Sequence, residues 1–169
     1  MAAPGANPAI RIDTGYRPGL VGRMTEMHAR FYARHAGFGQ FFESQVAAGV
    51  AGFAGRLQHP GNGIWVASAD DRIIGAVAID GEDLGQGRAH LRWFIMEDGY
   101  RGQGIGRALL QQAVAFCDQH GFSATELWTF KGLDAARRLY EGFGFKLVHE
   151  AEGQQWGSLV TEQHFRRAG

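Results

Sequence analysis

Residues Trp93-Phe-Ile-Met-Glu-Asp-Gly-Tyr-Arg-Gly-Gln-Gly-Ile-Gly106 read as an apolar strand, a short turn and a glycine loop that opens a helix. The helix carries Ile105, Leu109, Ala113 and Phe116 on one stripe and is expected to end near Gly121. The first four N–H groups of a helix lack internal partners, and the helix dipole favours negative charge there. Glycines let a phosphate approach the main chain closely. The segment is therefore read as a pyrophosphate cradle. It does not fit the P-loop template, because Arg107 and Ala108 follow Gly106 where Lys and Ser/Thr are needed. It does not fit the dinucleotide fingerprint either, since Arg107 stands where the third glycine belongs.

Upstream of the loop, residues 9–15 alternate like an edge strand. A helix is expected after Pro18, with Leu20, Met24, Met27 and Phe31 on one face, until Gly37 and Gly39 break it. A second helix carries Phe42, Val46, Val50, Phe53 and Leu57 and stops at Pro60-Gly61. Strands at 63–69 and 72–80 flank the Asp70-Asp71 turn, and a third follows at about 88–96. Short links make these three antiparallel. Downstream, a strand at 124–130 returns after the glycine-loop helix, which implies a parallel pair with a right-handed crossover. A helix at about 133–142 presents Ala136, Leu139, Tyr140 and Phe143, and strands at about 145–151 and 157–166 close the chain. The expected fold is α/β (α+β): one domain over 9–169, with a mixed, mostly antiparallel sheet of about seven strands and four helices. Residues 1–8 are read as a loose tail.

Composition narrows the function. The chain has 169 residues, 45% of them hydrophobic, with 17 basic and 17 acidic side chains. A dedicated nucleic-acid binder would show a positive surplus. The apolar runs are too short for a membrane span, and residues 1–8 lack the charged and apolar regions of a signal peptide. Cys117 is the only cysteine, so no internal disulfide forms, and its place in an apolar helix stripe favours packing over nucleophilic chemistry. The seven histidines lack metal-ligand spacing. A cytoplasmic setting fits these features, with no metal, nucleic acid or membrane expected.

Arg101-Gly102-Gln103-Gly104-Ile105-Gly106 matches Arg/Gln-x-x-Gly-x-Gly/Ala, and Ala136-Arg-Arg-Leu-Tyr140-Glu-Gly-Phe-Gly144-Phe145 matches Ala-x-x-x-Tyr-x-x-x-Gly-Phe. Both patterns, and the order β-α-α-β-β-β-α-β-α-β-β, resemble the GNAT superfamily of acyl-CoA-dependent N-acyltransferases over residues 10–166. Leu91-Arg92-Trp93-Phe94-Ile95, Leu127-Trp128-Thr129-Phe130 and Phe31-Tyr-Ala-Arg-His-Ala-Gly-Phe further resemble the GNAT domain often found behind a MarR-type DNA-binding domain. No winged helix is read here, so no DNA binding is inferred.

The resemblance implies a splayed parallel pair, 88–96 and 124–130, with the pantetheine arm of acetyl-CoA in the gap as a pseudo-strand. It implies main-chain bonds from Ile95 and Met96 to pantetheine, a pyrophosphate held by N–H groups of Arg101, Gly102, Gln103, Gly104, Ile105 and Gly106, and a cofactor contact at Ala136. It implies an oxyanion donor on the strand near Met96. Tyr140 matches the tyrosine that protonates the leaving thiolate in many members. The base is open among His90, Glu82 or Asp83, and a water chain, and the Glu that some members carry on the second splayed strand is replaced by Trp128. Leu133 stands where many members have a cofactor-binding Asn. His28, Tyr32, His35, Trp93 and Trp156 are candidates for the acceptor wall, while Trp93 and Trp128 are also expected to serve the core. The implied activity is N-acetyl transfer from acetyl-CoA to a primary amine of a small molecule or peptide, with a homodimer possible by analogy. The alternative is a non-catalytic acyl-CoA-binding regulatory domain.

Overall fold

The computed structural model describes residues 7–169. They run in the order β1 (Ile10–Thr14), α1 (Leu20–Ala36), α2 (Gln40–Ala54), β2 (Gly63–Ala69), β3 (Arg72–Asp80), β4 (Arg88–Met96), α3 (Ile105–His120), β5 (Ala124–Phe130), α4 (Asp134–Gly142), β6 (Lys146–Gly153) and β7 (Val160–Ala168). A single 3₁₀ turn, Asp98–Tyr100, separates β4 from the glycine loop. The seven strands form one sheet in the order β1-β2-β3-β4-β5-β7-β6. All pairs are antiparallel except β4 with β5. The expected tail over 1–8 falls, for residues 1–6, outside the described residues.

Helices cover both faces of the sheet, which explains why β3 reads as an unbroken apolar run rather than an alternation. Its residues divide between the two faces: Ile74, Val77 and Ile79 join a core with Leu109, Leu110 and Ala113 of α3, while Ile73, Ala76 and Ala78 join a core with Met24 of α1 and Val50 and Phe53 of α2, and the alternation shifts by one where β3 advances two residues, Ile73 to Gly75, against Ser68 and Ala67 of β2. The face of α4 read from the sequence is the one buried: Tyr140 lies in the α3-side core, with Ala136, Leu139 and Phe143 packed against it. Cys117 is buried in that core too, and burial pushes its thiol up to about 11, as a packing role requires. No described helix is long and apolar enough to cross a membrane.

One irregularity positions everything that follows. Between Ala76↔Ile95 and Ala78↔Arg92, β3 advances two residues while β4 advances three. This is a β-bulge, and Trp93 sits in it at φ 52°. A bulky residue in the left-handed region costs of order 1–3 kcal/mol and persists only where packing over-determines it. Here the indole packs on Phe53 (5.6 Å between centroids) and beneath the Arg92 guanidinium (4.0 Å). It also lies flush against α2 at Gly49, where any Cβ would come within 3.0 Å of the ring. The bulge breaks the alternation of β4. Ala89, Leu91, Phe94 and Met96 belong to the α3 side, whereas Trp93 and Ile95 belong to the α1–α2 side.

Candidate active site

β4 and β5 are paired only at Arg88↔Ala124, Ala89↔Thr125 and His90↔Glu126. Beyond that point both strands continue, to Met96 and Phe130, without a partner across the gap. The bulge bends β4 away from β5, so main-chain groups of residues 91–96 and 127–130 are left facing an open fork. Glu126, fully buried, sits at the crotch. It accepts from Arg88 on β4 (2.7 Å) and from Arg166 (2.8 Å) and His164 (2.9 Å) on β7.

Two cavities open from the fork and share Tyr32, Phe94 and Tyr140 as their common border. One, about 710 Å³, runs between Ile95 and Met96 of β4, the loop at Arg101, Gly102, Gly104 and Gly106, and Ala136 of α4. The other, about 490 Å³, lies between His90, Arg92 and Trp93 of β4, Trp128 of β5 and the β6–β7 hairpin. Both volumes fall in the range of small-molecule sites.

The larger cavity ends on the α3 N-terminus. The first helical bond there is Ala108 N–H to the Gly104 carbonyl (3.1 Å), and no side chain caps the helix. The Arg101 N–H, expected in the cradle, instead donates to the Asp98 carbonyl (3.3 Å) and closes the 3₁₀ turn, whereas the N–H groups of residues 102–107 have no acceptor among the described residues. Gly104 holds φ 79°, which turns these donors outward and which few side chains tolerate. The first turn carries no acidic residue. Such an end is suited to an anion. Ile105 buries its side chain in the core, and neither it nor Gln103 lines this cavity. The Arg101 guanidinium is engaged by Asp98 (3.1 Å), by the Met96 carbonyl (3.0 Å) and by the Phe31 ring beneath it (4.3 Å). Leu133 precedes α4 and packs into the α1–α2 core while bordering this cavity.

At the shared border, Tyr140 is packed by Phe94 and Phe145. Burial pushes its phenol well above the ordinary value, and Tyr32 adds to the shift. Its hydroxyl has no hydrogen-bond partner among the described residues. Burial likewise raises Tyr32 to about 12, against the pull of the Arg101 charge. His28 is lowered to about 4 by burial, although its bond to the Met24 carbonyl (2.7 Å) opposes this, so it is neutral at pH 7.

Of the three base candidates, the fork brings two together. His90 Nδ1 lies 2.7 Å from Asp83 Oδ2. A carboxylate partner makes Nδ1 the donor and leaves Nε2 of the neutral ring free to accept a proton. The Trp128 edge packs on His90 (5.0 Å) and its face stacks on His164 (4.3 Å). Glu82 is elsewhere: Arg56 (2.6 Å) and Asn62 (2.7 Å) hold it beside Asp80. Of the wall candidates, His28, Tyr32, Trp93 and Trp156 border the smaller cavity, while His35 borders the larger one, stacked on Phe31. Trp128, expected to serve the core, forms cavity wall instead, because the missing strand partner leaves its face open. Arg92 was not singled out from the sequence. It follows His90 on the same face in regular register, and the bulge after it, invisible in a single strand's pattern, brings Trp93 to the cavity beside it.

This geometry has close counterparts. Residues 24–145 match the model of the acetyltransferase (GNAT) family. The chain is 30% identical over 107 residues to human N-acetyltransferase 8B, covering 62% of this chain and 47% of that protein. It is 33% identical over 96 residues to N-acetylaspartate synthetase of Xenopus tropicalis, covering 57% and 35%. It thus spans less than half the length of these two relatives. Its fold superposes on yncA of Salmonella typhimurium, solved with its cofactor acetyl-CoA, with a TM-score of 0.73 at 15% identity, covering 95% of this chain and 94% of that one. With most of its length inside the family match, and with the forked parallel pair and the uncapped glycine loop in place, the chain belongs to the acetyltransferase (GNAT) family.

Proposed function

We propose that the protein transfers an acetyl group from acetyl-CoA directly to a primary amine of a small molecule or peptide. The observation that carries this reading is the meeting of two cavities at Tyr140: one ends on uncapped main-chain donors, the other on a carboxylate-oriented histidine. In this reading the pyrophosphate rests on the N–H groups of residues 102–107. The unpartnered edge of β4 at Ile95 and Met96 bonds the pantetheine amides, and a β4 N–H in the same stretch stabilises the oxyanion.

The acceptor must lose a proton to attack. A lysine-like amine at pH 7 is about 3.4 units below its pKa, a deficit of roughly 4.6 kcal/mol. His90, with Nε2 open and Asp83 behind Nδ1, is placed to take that proton. Attack on the thioester carbon forms the C–N bond, and collapse of the tetrahedral intermediate breaks the C–S bond. The leaving thiolate takes its proton from the Tyr140 hydroxyl. Burial keeps Tyr140 protonated until the thiolate forms and makes phenolate and thiolate alike more basic, and the phenolate regains a proton from the one that the attacking nitrogen sheds as the amide forms. The test is thiol release from acetyl-CoA across a panel of amines. Tight binding of acetyl-CoA with no release for any amine would overturn the reading in favour of a binding domain.

Two variants probe the two ends of the site. Gly104→Asp places a carboxylate where the pyrophosphate would sit, at a left-handed position that Asp tolerates better than most residues. Because Asp also caps helices, the fold should persist while the calorimetric Kd for coenzyme A rises at least tenfold. An unchanged Kd would move the phosphate site elsewhere. His90→Gln should lower kcat at pH 7 about tenfold with little change in coenzyme A affinity. The loss stays below the hundredfold or more typical of a missing general base, because Asp83 remains to draw a proton through water. An unaltered kcat would remove His90 from the mechanism.

A further inference from the structure

Among the described residues lining the smaller cavity, Arg92 is the only arginine or lysine. Its side chain is 30% exposed, yet its guanidinium makes no hydrogen bond to any described residue. A terminal nitrogen lies 3.6 Å from Asp83 Oδ2, too far for a hydrogen bond, and that oxygen is already taken by His90. Other sheltered arginines behave differently. Arg23 bonds Ile73, Glu26 and Glu97; Arg88 bonds Leu84 and Glu126; Arg167 bonds Phe143 and Asp118. Arg107 and Arg138 are also unbonded, but both are exposed. A sheltered guanidinium with free donors is costly, and burial indeed lowers the Arg92 pKa despite the nearby Asp83 and Asp80 charges. The group is also rigid, since the Trp93 ring holds one face of it at 4.0 Å. A planar, fixed fork of N–H donors matches a carboxylate in two-point geometry.

We propose that Arg92 binds a carboxylate of the acceptor, so that the acetylated substrate is an amino-acid-like amine rather than a simple alkylamine. The inference rests on the acyl-transfer reading and names its substrate class. His90 and Arg92 lie two residues apart on β4, with the bulge directly after them. An amine at His90 and a carboxylate at Arg92 thus belong to one short molecule. The acidic groups around the cavity leave the guanidinium donors without a hydrogen bond, although Asp83 stands 3.6 Å away. Asp83 serves His90, Glu162 accepts from Gln155 (2.7 Å), and Glu152 stands on the opposite, hairpin side, where it complements an ammonium group. The aromatic walls, Trp93, Trp128 and Trp156 among them, suit an apolar body.

The experiment compares L-phenylalanine and L-aspartate with their α-amides and decarboxylated amines, by thiol release from acetyl-CoA. The wild type is expected to favour at least one free acid over its α-amide by tenfold or more in kcat/KM, chiefly through KM. Arg92→Met should erase that difference, and Arg92→Lys should restore it in part. Melting temperature and coenzyme A affinity verify that the variants are folded. A wild type that uses acid and amide equally, or a preference that survives Arg92→Met, overturns the inference. Calorimetry separates this from failure of the acyl-transfer reading. If no amine supports turnover, yet the coenzyme A-loaded protein binds N-acetyl-L-phenylalanine or N-acetyl-L-aspartate in an Arg92-dependent way, the carboxylate site stands and the catalytic reading falls. Absence of both turnover and such binding overturns both.

Discussion

Tyr140→Phe is expected to lower kcat by about a hundredfold or more while leaving the Kd for coenzyme A within about threefold of wild type. The first part follows from chemistry. The substitution removes only the hydroxyl, and a positioned proton donor contributes roughly 10²–10⁴ in rate. The second follows from packing. The ring of Tyr140 contacts Phe94, Phe145 and Phe165, and a phenylalanine ring keeps those contacts. The hydroxyl has no partner among the described residues, so its loss leaves no orphaned protein donor or acceptor behind, and stability should change little. A tyrosine retained for structure alone would give the opposite pattern: a lower melting temperature and an ordinary kcat. Single-turnover kinetics with acetyl-CoA would place the defect at the chemical step. Turnover equal to wild type would remove Tyr140 from the mechanism.

Glu126 carries the largest expected effect on stability. Its carboxylate is fully buried at the point where β4 and β5 part, and it gathers Arg88, Arg166 and His164 from the two strands on either side. Removing one partner of a buried ion pair costs about 3–5 kcal/mol, since the remaining charges stay desolvated. Glu126→Leu is placed at the low end of that range because Arg166 reaches solvent, with its side chain 48% exposed. For a chain of this size the loss corresponds to a melting temperature lower by roughly 6–12 °C. Glu126→Gln, which keeps the shape and removes the charge, should fall between this variant and wild type if the leucine variant is too unstable to purify. A variant as stable as wild type would show that the cluster contributes nothing net.

The same cluster sets a pH dependence. Burial alone would raise the Glu126 pKa, but the Arg166 hydrogen bonds, the Arg166 and Arg88 charges and the His164 bond outweigh it and hold the carboxyl below its usual range. A carboxyl with a depressed folded-state pKa contributes stability above its unfolded value and loses that contribution as pH falls through the folded one. Asp80 and Glu97 are lowered in the same direction against their own burial, chiefly by hydrogen bonds from Arg56 and from Arg23 and Arg72. Acid unfolding should therefore begin below the ordinary carboxylate range, and the pH midpoint should move upward in Glu126→Gln.

What the chain alone determined is local and periodic. The strands at 63–69 and 72–80, the stripe on α3, the face of α4 and the glycines around 102–106 are short-range patterns, and each element stands within a few residues of its expected place. The order of elements and two motifs were enough to point to the family. The site needed contacts between residues far apart in sequence. Asp83 and His90 became a pair, and Glu82 was diverted to Arg56, only once the loop after β3 folded back over the sheet. Trp128 was expected in the core because strand residues usually are, yet β5 has no neighbour on that side of the fork. Arg92 had no visible role because its lack of a hydrogen-bond partner and the indole of Trp93 against it depend on distant neighbours and on the bulge after it, and a bulge is a property of two strands in register, not of one. Periodicity reports how an element meets the solvent. Which polar groups meet one another depends on where the sheet opens, and here that is decided by the bulge at Trp93 and the buried carboxylate of Glu126.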